Sequence, residues 1–336
     1  MATMDKIDPG GDYQSMADIV PEAQAVIESV YKDGRIPGIS TGFVDLDKYT
    51  GGLQPGDLVI LAGRPSMGKT ALGMSILKNM ASKGHPGANA SIESGAQELA
   101  IRYLLQSRGN DDKSDYTGGF ITKAAMGAIR QEAKILRDLP IYIDDSGAQT
   151  LQQIRSRTSR MKSRHDIEIL MVDYLQLMSG SKKDSRVQEV GEYSRGLKKI
   201  ARELDIIVLA LSQLNRRPEG RADHRPVMSD LRETGDIEQD ADKIIMVYRP
   251  EVYKIMVEPK GVNQGRDNTN LAEINLVKHR NGPTGEVTMT FIKKKAQFYD
   301  REQFRPDSDA ADFTRQAEPV PPEAPAEKPA DDETPF

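Results

Sequence analysis

The chain has 336 residues, of which 38% are hydrophobic and 29% are charged, enough for one large domain or two modest ones. It contains no cysteine, which excludes disulfides and thiolate metal sites and fits a reducing cytosol. Its net charge of −5 argues against a protein that simply coats nucleic acid. Since it shows neither an apolar run of about 18 residues nor a signal-peptide core, we expect a cytoplasmic protein without membrane contact.

The charge is distributed unevenly between the body of the chain and its C-terminal tail. From Pro306 to Phe336 there are nine acids and two bases, so the tail carries −7 and residues 1–305 carry about +2. A nearly neutral body can still bind DNA where its basic groups converge. Because aromatic residues make up only 5% and Trp is absent, we expect contacts to phosphates rather than base stacking.

In chain order, residues 1–15 are polar and are expected to be a flexible N-terminus, and residues 16–40 a linker helix and connector. The stretch "PEAQAVIESVYKDG" predicts a short helix with Pro21 in its first turn and Gly34 at its end. Its apolar face comprises Ala23, Val26, Ile27 and Val30. A lone amphipathic helix must dock on its own domain or on a neighbouring subunit.

Residues 41–300 alternate apolar strands with helical patterns. The strand segments are "DLVILAG", "LPIYIDD", "IEILMVDY", "DIIVLALS", "KIIMVY" and "AEINLVK", and the helical patterns cover 69–83, 95–108, 122–137, 150–164 and 187–204. This order predicts an α/β fold, a mostly parallel sheet with helices on both faces. The stretch "NGPTG" predicts a C-terminal β-hairpin. Residues 301–336, rich in proline and acids, are expected to be disordered.

The stretch "GRPSMGKT" matches the pattern GxxxxGKT, follows a strand and opens a helix, which is the context of a phosphate-binding loop. Backbone N–H groups should face the phosphates, Lys69 should reach the β- and γ-phosphates, and Thr70 should hold Mg²⁺. The alternative is a glycine-rich turn without chemical meaning. The expected nucleotide-binding residues are Gly63, Arg64, Pro65, Ser66, Met67, Gly68, Lys69, Thr70 and Ala71.

Three further polar residues stand near strand ends. Asp173 lies at the C-terminal end of the strand in "IEILMVDY", where a phosphate-loop fold places its metal-orienting carboxylate. Glu93 follows the polar strand "GANAS" and is suited to polarise an attacking water, while Gln213 ends a buried strand and is suited to sense the γ-phosphate. Each has a plainer alternative. Asp173 would be an ordinary acid at a strand end, Glu93 an acid in the first turn of a helix, and Gln213 a turn residue.

Lys278 and Arg280 in "LVKHRNG" are two residues apart and should share one face of a strand. Cations aligned in this way can stabilise phosphoryl-transfer charge, usually across a subunit boundary. The alternative is a pair of solvated charges on an edge strand. The sequence has no Ser/His/Asp elbow and no HExxH pattern, so the expected metal is nucleotide-bound Mg²⁺.

Five segments together resemble the motor domain of the DnaB-type replicative DNA helicases, over about residues 18–292. They are "TGFVDLDKYTGGLQPGDLVILAGRPSMGKTAL", "VDYLQLM", "ALSQLNR", "SDLRETGDIEQDAD" and "KHRNGPTG". The resemblance implies a RecA-like ATPase core that uses ATP and Mg²⁺. It also implies a homo-oligomeric ring, usually a hexamer, that translocates 5′ to 3′ along single-stranded DNA.

Carried over position by position, the resemblance assigns roles at the nucleotide. It implies that Lys69 and Thr70 hold nucleotide and Mg²⁺, that Glu93 is the catalytic base, that Asp173 is the second metal-side acid and that Gln213 is the γ-phosphate sensor.

The resemblance assigns further roles to groups that act between subunits or on DNA. Lys278 and Arg280 would act on the ATP of the neighbouring subunit. "LRETG" would be the DNA loop of the central channel, with Arg232, Glu233 and Gly235 touching the phosphate backbone. The N-terminal helix would dock on the adjacent subunit.

The sequence departs from the family at both ends. "MATMDKIDPGGDYQ" stands where the family has a helical collar domain that contacts primase, so ring stability, primase and a helicase loader are open expectations. Two alternative functions remain: a RecA-like ATPase without unwinding activity, and a truncated relative that docks on a host helicase ring.

The last residues, "ADDETPF", resemble the C-terminal tip of bacterial single-stranded-DNA-binding proteins. The resemblance implies that Phe336 would anchor in an apolar pocket of a partner, with Asp331, Asp332 and Glu333 as a charged clamp. The alternative is a solubilising acidic tail.

Overall fold

The computed structural model describes residues 15–33, 36–106, 116, 118–147, 150–173, 186–258 and 264–301. Within these ranges the side chains of residues 33, 186–188, 217 and 232–236 are not described. The helices are α1 (Met16–Asp33), α2 (Val44–Thr50), α3 (Lys69–Ser82), α4 (Ala96–Gln106), α5 (Lys123–Asp138), α6 (Leu151–His165), α7 (Arg186–Leu204) and α8 (Gly235–Asp240). None of these described helices is long and apolar enough to span a bilayer.

The strands of the described ranges form one sheet in the order β3-β2-β4-β5-β1-β6-β7-β8-β9. They are β1 (Leu58–Gly63), β2 (Gly87–Ser91), β3 (Ile141–Asp144), β4 (Ile169–Asp173), β5 (Ile207–Gln213), β6 (Lys243–Tyr248), β7 (Leu271–His279), β8 (Gly285–Ile292) and β9 (Gln297–Asp300). Pairings from β3 across to β6 are parallel, and those from β6 to β9 are antiparallel. The predicted α/β fold with a mostly parallel sheet and a C-terminal hairpin is confirmed.

The core has two layers because successive residues of a buried strand point to opposite faces. On one face, Val59 and Leu61 of β1 pack in the cluster that includes Leu72 of α3 and Leu99 of α4. On the other face, Leu58, Ile60 and Ala62 pack with Ile154 of α6 and Leu197 of α7. Both faces of β1 are therefore covered, which explains its unbroken apolar sequence.

Strand β2 is fully buried although "GANAS" contains few apolar residues. A Cβ at Gly87 would lie 2.3 Å from Cδ1 of Leu77 and 2.8 Å from Cγ2 of Ile169. A side chain at this position would have to displace Leu77 or Ile169, so the close approach of α3 favours glycine and accounts for the weak strand signal.

Helix α1 differs from the prediction at its N-terminus. It begins at Met16, five residues before Pro21, which lies inside the helix. The Ser15 hydroxyl accepts a hydrogen bond from the backbone N–H of Asp18, so Ser15 serves as the N-cap that the prediction missed. Large apolar side chains on this helix are exposed: Met16, Ile19, Val20, Val26, Ile27 and Tyr31.

The short elements α2 and β9, like α8, were not predicted from sequence. They stabilise one another, because Oδ2 of Asp300 in β9 accepts a hydrogen bond of 3.0 Å from the backbone N–H of Val44 in α2. This contact joins residues 256 positions apart. Neither segment carries a periodic pattern long enough to reveal it in isolation.

Candidate functional site

The parallel strands bring the predicted nucleotide residues together at the carboxyl edge of the sheet. In register, Gly63 at the end of β1 pairs with Gln213 of β5, and Ser91 of β2 pairs with Asp173 of β4. A cavity of about 540 Å³ opens at this edge, a size typical of small-molecule sites. It is lined by Pro65, Ser66, Gly68, Lys69, Thr70, Ala71, Met74, Glu93, Arg102, Leu105, Gln106, Asp173, Gln213, Phe291, Lys294, Lys295 and Ala296.

The phosphate loop bends through two left-handed residues before α3 begins. Ser66 has φ +67° and Gly68 has φ +96°. A Cβ at Gly68 would also come within 3.0 Å of Cζ of Phe298 and 3.2 Å of Cε2 of Phe291. Both the backbone conformation and this aromatic pair therefore require glycine at position 68.

Lys69 folds its side chain back over the loop. Its Nζ donates to the carbonyl oxygens of Gly63 at 2.9 Å and Arg64 at 3.2 Å. Burial lowers the pKa of Lys69 to about 8, and the nearby Asp173 and Glu93 carboxylates only partly offset this effect. Lys69 is thus a cation at neutral pH that burial has destabilised, and an approaching phosphate would stabilise its charge.

Asp173 and Thr70 both line the cavity and contact each other. The Thr70 side chain hydrogen-bonds the Asp173 carboxylate, which is 4% exposed. Burial raises the pKa of Asp173, and the Thr70 hydrogen bond opposes that rise. A hydroxyl and a carboxylate are hard oxygen ligands, so these two residues suit Mg²⁺.

Glu93 and Gln213 flank the same cavity. Glu93 lies two residues beyond β2, and the backbone N–H of its neighbour Ile92 donates to the Asp173 carbonyl at 2.9 Å. Because α4 begins only at Ala96, Glu93 is not in the first helical turn. The Glu93 side chain is exposed and lines the cavity.

Two side chains of the predicted binding segment turn away from the cavity. Met67 is 2% exposed and packs in the core. Arg64 directs Nη1 to the carbonyl of Leu214 at 2.9 Å and pairs through Nη2 with Glu219. The sequence pattern located the loop, but only the fold shows that the Arg64 guanidinium points away from the cavity while its carbonyl accepts a hydrogen bond from Lys69.

Arg249 was missed by the sequence reasoning. It directly follows β6, is 4% exposed, and donates from Nη1 to the carbonyl of Ser66 at 3.2 Å. Its guanidinium lies 3.9 Å over the Phe291 ring. The available signal was an arginine at the end of a buried strand, but recognising it required knowing that β6 neighbours β1. Arg249 itself does not line the cavity; the unpredicted charged residues that do are Arg102, Lys294 and Lys295.

Lys278 and Arg280 lie at the other end of the parallel strands, beside the start of β1 rather than the phosphate loop. Both donate to the carbonyl of Gln239, at 3.5 and 3.0 Å, so they face the same side. Arg280 also pairs with Asp242 at 3.1 Å, and Asp242 bonds the N–H of Leu58, the first residue of β1. Since β7 lies between β6 and β8, Lys278 is not on an edge strand; Arg280 follows β7 and its side chain is 42% exposed.

The segment predicted to contact DNA forms a 3₁₀ turn, Met228–Thr234, followed by α8. Leu231 within it is buried. The side chains at Arg232, Glu233 and Gly235 lie outside the described residues. The predicted tail residues Asp331, Asp332, Glu333 and Phe336 also lie outside them.

Known proteins resemble the chain over this same region. The family model of the DnaB-like helicase C terminal domain matches residues 38–300. The replicative DNA helicase DnaB of Geobacillus stearothermophilus is 41% identical over 297 residues, which cover 87% of this chain and 63% of that protein. The replicative DNA helicase DnaC of Bacillus subtilis is 40% identical over 295 residues, with the same coverage. The chain therefore spans less than two thirds of the length of these relatives.

Two solved structures share the fold. One is described as an ATPase domain and superposes with a TM-score of 0.77 and 36% identity, covering 86% of this chain and 99% of that one. The other, a DnaB-like replicative helicase described with its interactions with primase, superposes with a TM-score of 0.74 and 36% identity. That match covers 84% of this chain and 68% of the other.

Proposed function

The chain belongs to the family of DnaB-like helicase C-terminal domains, and from that premise we propose that it is an ATP-dependent DNA helicase motor. It would translocate 5′ to 3′ on single-stranded DNA during replication, in the cytoplasm. The observation that carries the proposal is the cavity at the carboxyl edge, where Lys69, Thr70, Glu93, Asp173 and Gln213 meet around one phosphate loop.

Each residue of the cavity has a chemical task in this proposal. Lys69 would bind the β- and γ-phosphates, whose negative charge offsets the burial of its ammonium group. Glu93 would accept a proton from the attacking water, and Gln213 would hydrogen-bond the γ-phosphate and respond to its loss. Thr70 and Asp173 would hold Mg²⁺, which supplies neutralisation of phosphate charge when bound.

A ring of identical subunits accounts for Lys278 and Arg280. They lie beside the start of β1, and the six residues of that strand place the phosphate loop roughly 20 Å away at its other end. They therefore cannot reach the nucleotide of their own chain without refolding. We propose that they act on the ATP of the neighbouring subunit in a hexameric ring.

The exposed apolar face of α1 supports the same assembly. A helix with Ile27 68% and Tyr31 88% exposed gains little from its own domain, and burial of such side chains is worth about 1.5–3 kcal/mol each. We propose that α1 docks on the adjacent subunit. One solved relative is described with its interactions with primase, so primase is proposed as a partner; a helicase loader is proposed from family membership alone.

The ring also explains how an acidic chain binds DNA. Copies of the segment containing Arg232, Glu233 and Gly235 would converge on one strand in a central channel and contact its phosphates. The two alternatives, an ATPase without unwinding and a helicase relative that docks on a host ring, gain no support from relatives that are themselves named replicative DNA helicases.

The acidic tail is proposed to recruit a partner that binds Phe336 and its neighbouring acids. Deleting Phe336 alone removes the ring of the anchor and almost none of the charge. If a protein that binds such tips bound the full chain and the deletion equally well, or bound neither, the tail would be a solubilising extension instead.

ATPase activity with and without single-stranded DNA tests the proposed function. We expect DNA to stimulate hydrolysis, Lys69→Ala to lose nucleotide binding, and Glu93→Gln to bind ATP but hydrolyse it poorly. Equal hydrolysis by Glu93→Gln and the wild type would remove Glu93 from the role of base. ATPase activity that DNA does not stimulate would favour the alternative of a helicase relative that docks on a host ring.

A further inference from the structure

A series of polar contacts joins the phosphate loop to the segment that enters the proposed DNA loop. We call the set Arg64, Glu219, Arg221, Asp230 and Tyr253 the polar bridge. None of its members lines the nucleotide cavity. The bridge therefore has no direct part in binding nucleotide, and its position between two proposed sites needs a separate explanation.

The first half of the bridge begins in the phosphate loop. The Arg64 side chain is 13% exposed, donates to the carbonyl of Leu214 at 2.9 Å and pairs with Glu219. It also hydrogen-bonds the Tyr253 side chain. Leu214 directly follows Gln213, so Arg64 holds both the loop that grips phosphate and the chain just beyond the proposed γ-phosphate sensor.

The second half begins two residues after Glu219. Arg221 donates to both carboxylate oxygens of Asp230, at 2.8 and 2.5 Å. Asp230 lies inside the 3₁₀ turn Met228–Thr234, and its carbonyl accepts from the N–H of Asn215 at 3.3 Å. These contacts connect both ends of the segment from Asn215 to Asp230, and they fix Arg221 to the turn that contains Arg232.

The two halves differ in how easily they break. The Asp230 side chain is fully buried, and separating it from Arg221 would leave an uncompensated charge in the core. The Glu219 side chain is 46% exposed, so water can replace its contact with Arg64, and Arg64 then keeps its hydrogen bonds to the Leu214 carbonyl and the Tyr253 side chain. The second half should therefore move as one body. The Arg64–Glu219 contact is the point at which this body can bind to the phosphate loop or separate from it.

From these contacts we infer that the polar bridge couples nucleotide binding at the phosphate loop to the affinity of the adjacent loop for single-stranded DNA. Glu219 and Arg221 are positioning residues in this inference, which rests on the proposed function. A shift of the phosphate loop on binding triphosphate moves Arg64, and the bridge transfers that shift to the turn at 228–234. By linkage, DNA must change nucleotide affinity by the same factor.

The test measures that factor in the full chain. A fluorescent oligothymidylate is titrated with and without saturating AMP-PNP and Mg²⁺, and AMP-PNP is titrated with and without the oligonucleotide. For the wild type we expect the DNA dissociation constants measured with and without AMP-PNP to differ by a ratio of roughly 5–150. In Glu219→Gln and in Arg221→Lys, which keeps the charge but loses the paired donors, the ratio should fall by roughly 2- to 30-fold. Each ligand should bind these variants alone as it binds the wild type.

A matched control is Glu203→Gln, which breaks an exposed pair with Arg155 near the end of α7 and should leave the ratio unchanged. Thermal melts establish that each variant is folded. If both bridge variants keep the wild-type ratio, the bridge is refuted while the motor stands. If they weaken each ligand alone, the bridge is merely structural and the inference fails. A wild type that binds neither ligand refutes the motor and the bridge together.

Discussion

Arg249 donates from Nη1 to the carbonyl oxygen of Ser66 at 3.2 Å while its guanidinium lies 3.9 Å over the ring of Phe291. Ser66 is held in the left-handed region, with φ +67°, which is an unfavourable conformation for a residue with a Cβ. Burial lowers the pKa of Arg249, so a charged group is kept in an apolar position at a cost. The relationship shows that strand β6 and hairpin β7–β8 support the shape of the phosphate loop.

Replacing Arg249 by lysine should therefore weaken nucleotide binding. An ammonium group cannot both stack on Phe291 and aim a planar donor at Ser66. We expect the dissociation constant for AMP-PNP to rise about tenfold, because one hydrogen bond from a charged donor is lost. DNA binding in the absence of nucleotide should be unchanged. Arg266→Lys is the matched control, since its half-buried guanidinium pairs with Glu258 and Glu273 instead of the loop. Equal nucleotide affinity in both variants would show that the loop keeps its shape without Arg249.

Nucleotide affinity should depend on pH through Lys69. Its pKa of about 8 means that below this pH the free protein already carries the ammonium that phosphate requires. Above about pH 8, binding must take up a proton, because bound phosphate raises the pKa, and affinity should fall by up to about tenfold per pH unit. Isothermal titration of AMP-PNP at several pH values measures this directly. Lys69→Arg, which stays charged, should give a flat profile; an equally flat wild-type profile would show that the Lys69 pKa is not lowered.

The DNA loop should reveal itself in the salt dependence of binding. Arg232→Ala should weaken binding to single strands of any sequence and lower the slope of log K against log salt by about one. Affinity for AMP-PNP should not change. Arg160→Ala, on the exposed surface of α6, is a control of equal charge change. Unaltered DNA affinity in Arg232→Ala would place the DNA contact elsewhere in the chain.

Much of the fold was predictable because the strands are buried on both faces and therefore have unbroken apolar sequences. Strand β2 was a weak prediction for a physical reason, since Leu77 of α3 approaches so closely that a side chain at Gly87 would displace it. The start of α1 was missed because Pro21 suggested a first turn, whereas Ser15 supplies the cap. Such errors arise where one local signal is outweighed by another contact.

The cavity residues were predictable because a short motif fixes the loop and each partner ends a strand. Arg249 was not predictable, since it reaches Ser66, 183 residues earlier, only through the placement of β6 beside β1. The direction of the Arg64 side chain was also hidden, because a motif fixes backbone shape and leaves the exposed side chains to tertiary contacts. Long-range pairing, rather than local pattern, decides these details.

Arg280 should act on the neighbouring subunit. Arg280→Ala should lower ATP hydrolysis by roughly 10³- to 10⁵-fold, as the loss of a phosphoryl-transfer arginine does elsewhere. Mixing Arg280→Ala subunits with Lys69→Ala subunits should restore part of the activity, because an interface between the two types can combine an intact Lys69 with an intact Arg280. A plot of ATPase rate against mixing ratio measures the recovery. Activity that stays at the mutant level at every ratio would contradict action in trans.

Strand separation on a forked DNA duplex tests the central claim most directly. Three substrates are compared in the presence of ATP and Mg²⁺: a fork with both single-stranded tails, one without the 5′ tail and one without the 3′ tail. Glu93→Gln serves as the folded, nucleotide-binding control. A 5′ to 3′ motor should open the complete fork and fail on the substrate without the 5′ tail, and Glu93→Gln should open none of the three. Rapid DNA-stimulated hydrolysis without opening of the complete fork, or opening that requires only the 3′ tail, would contradict the account.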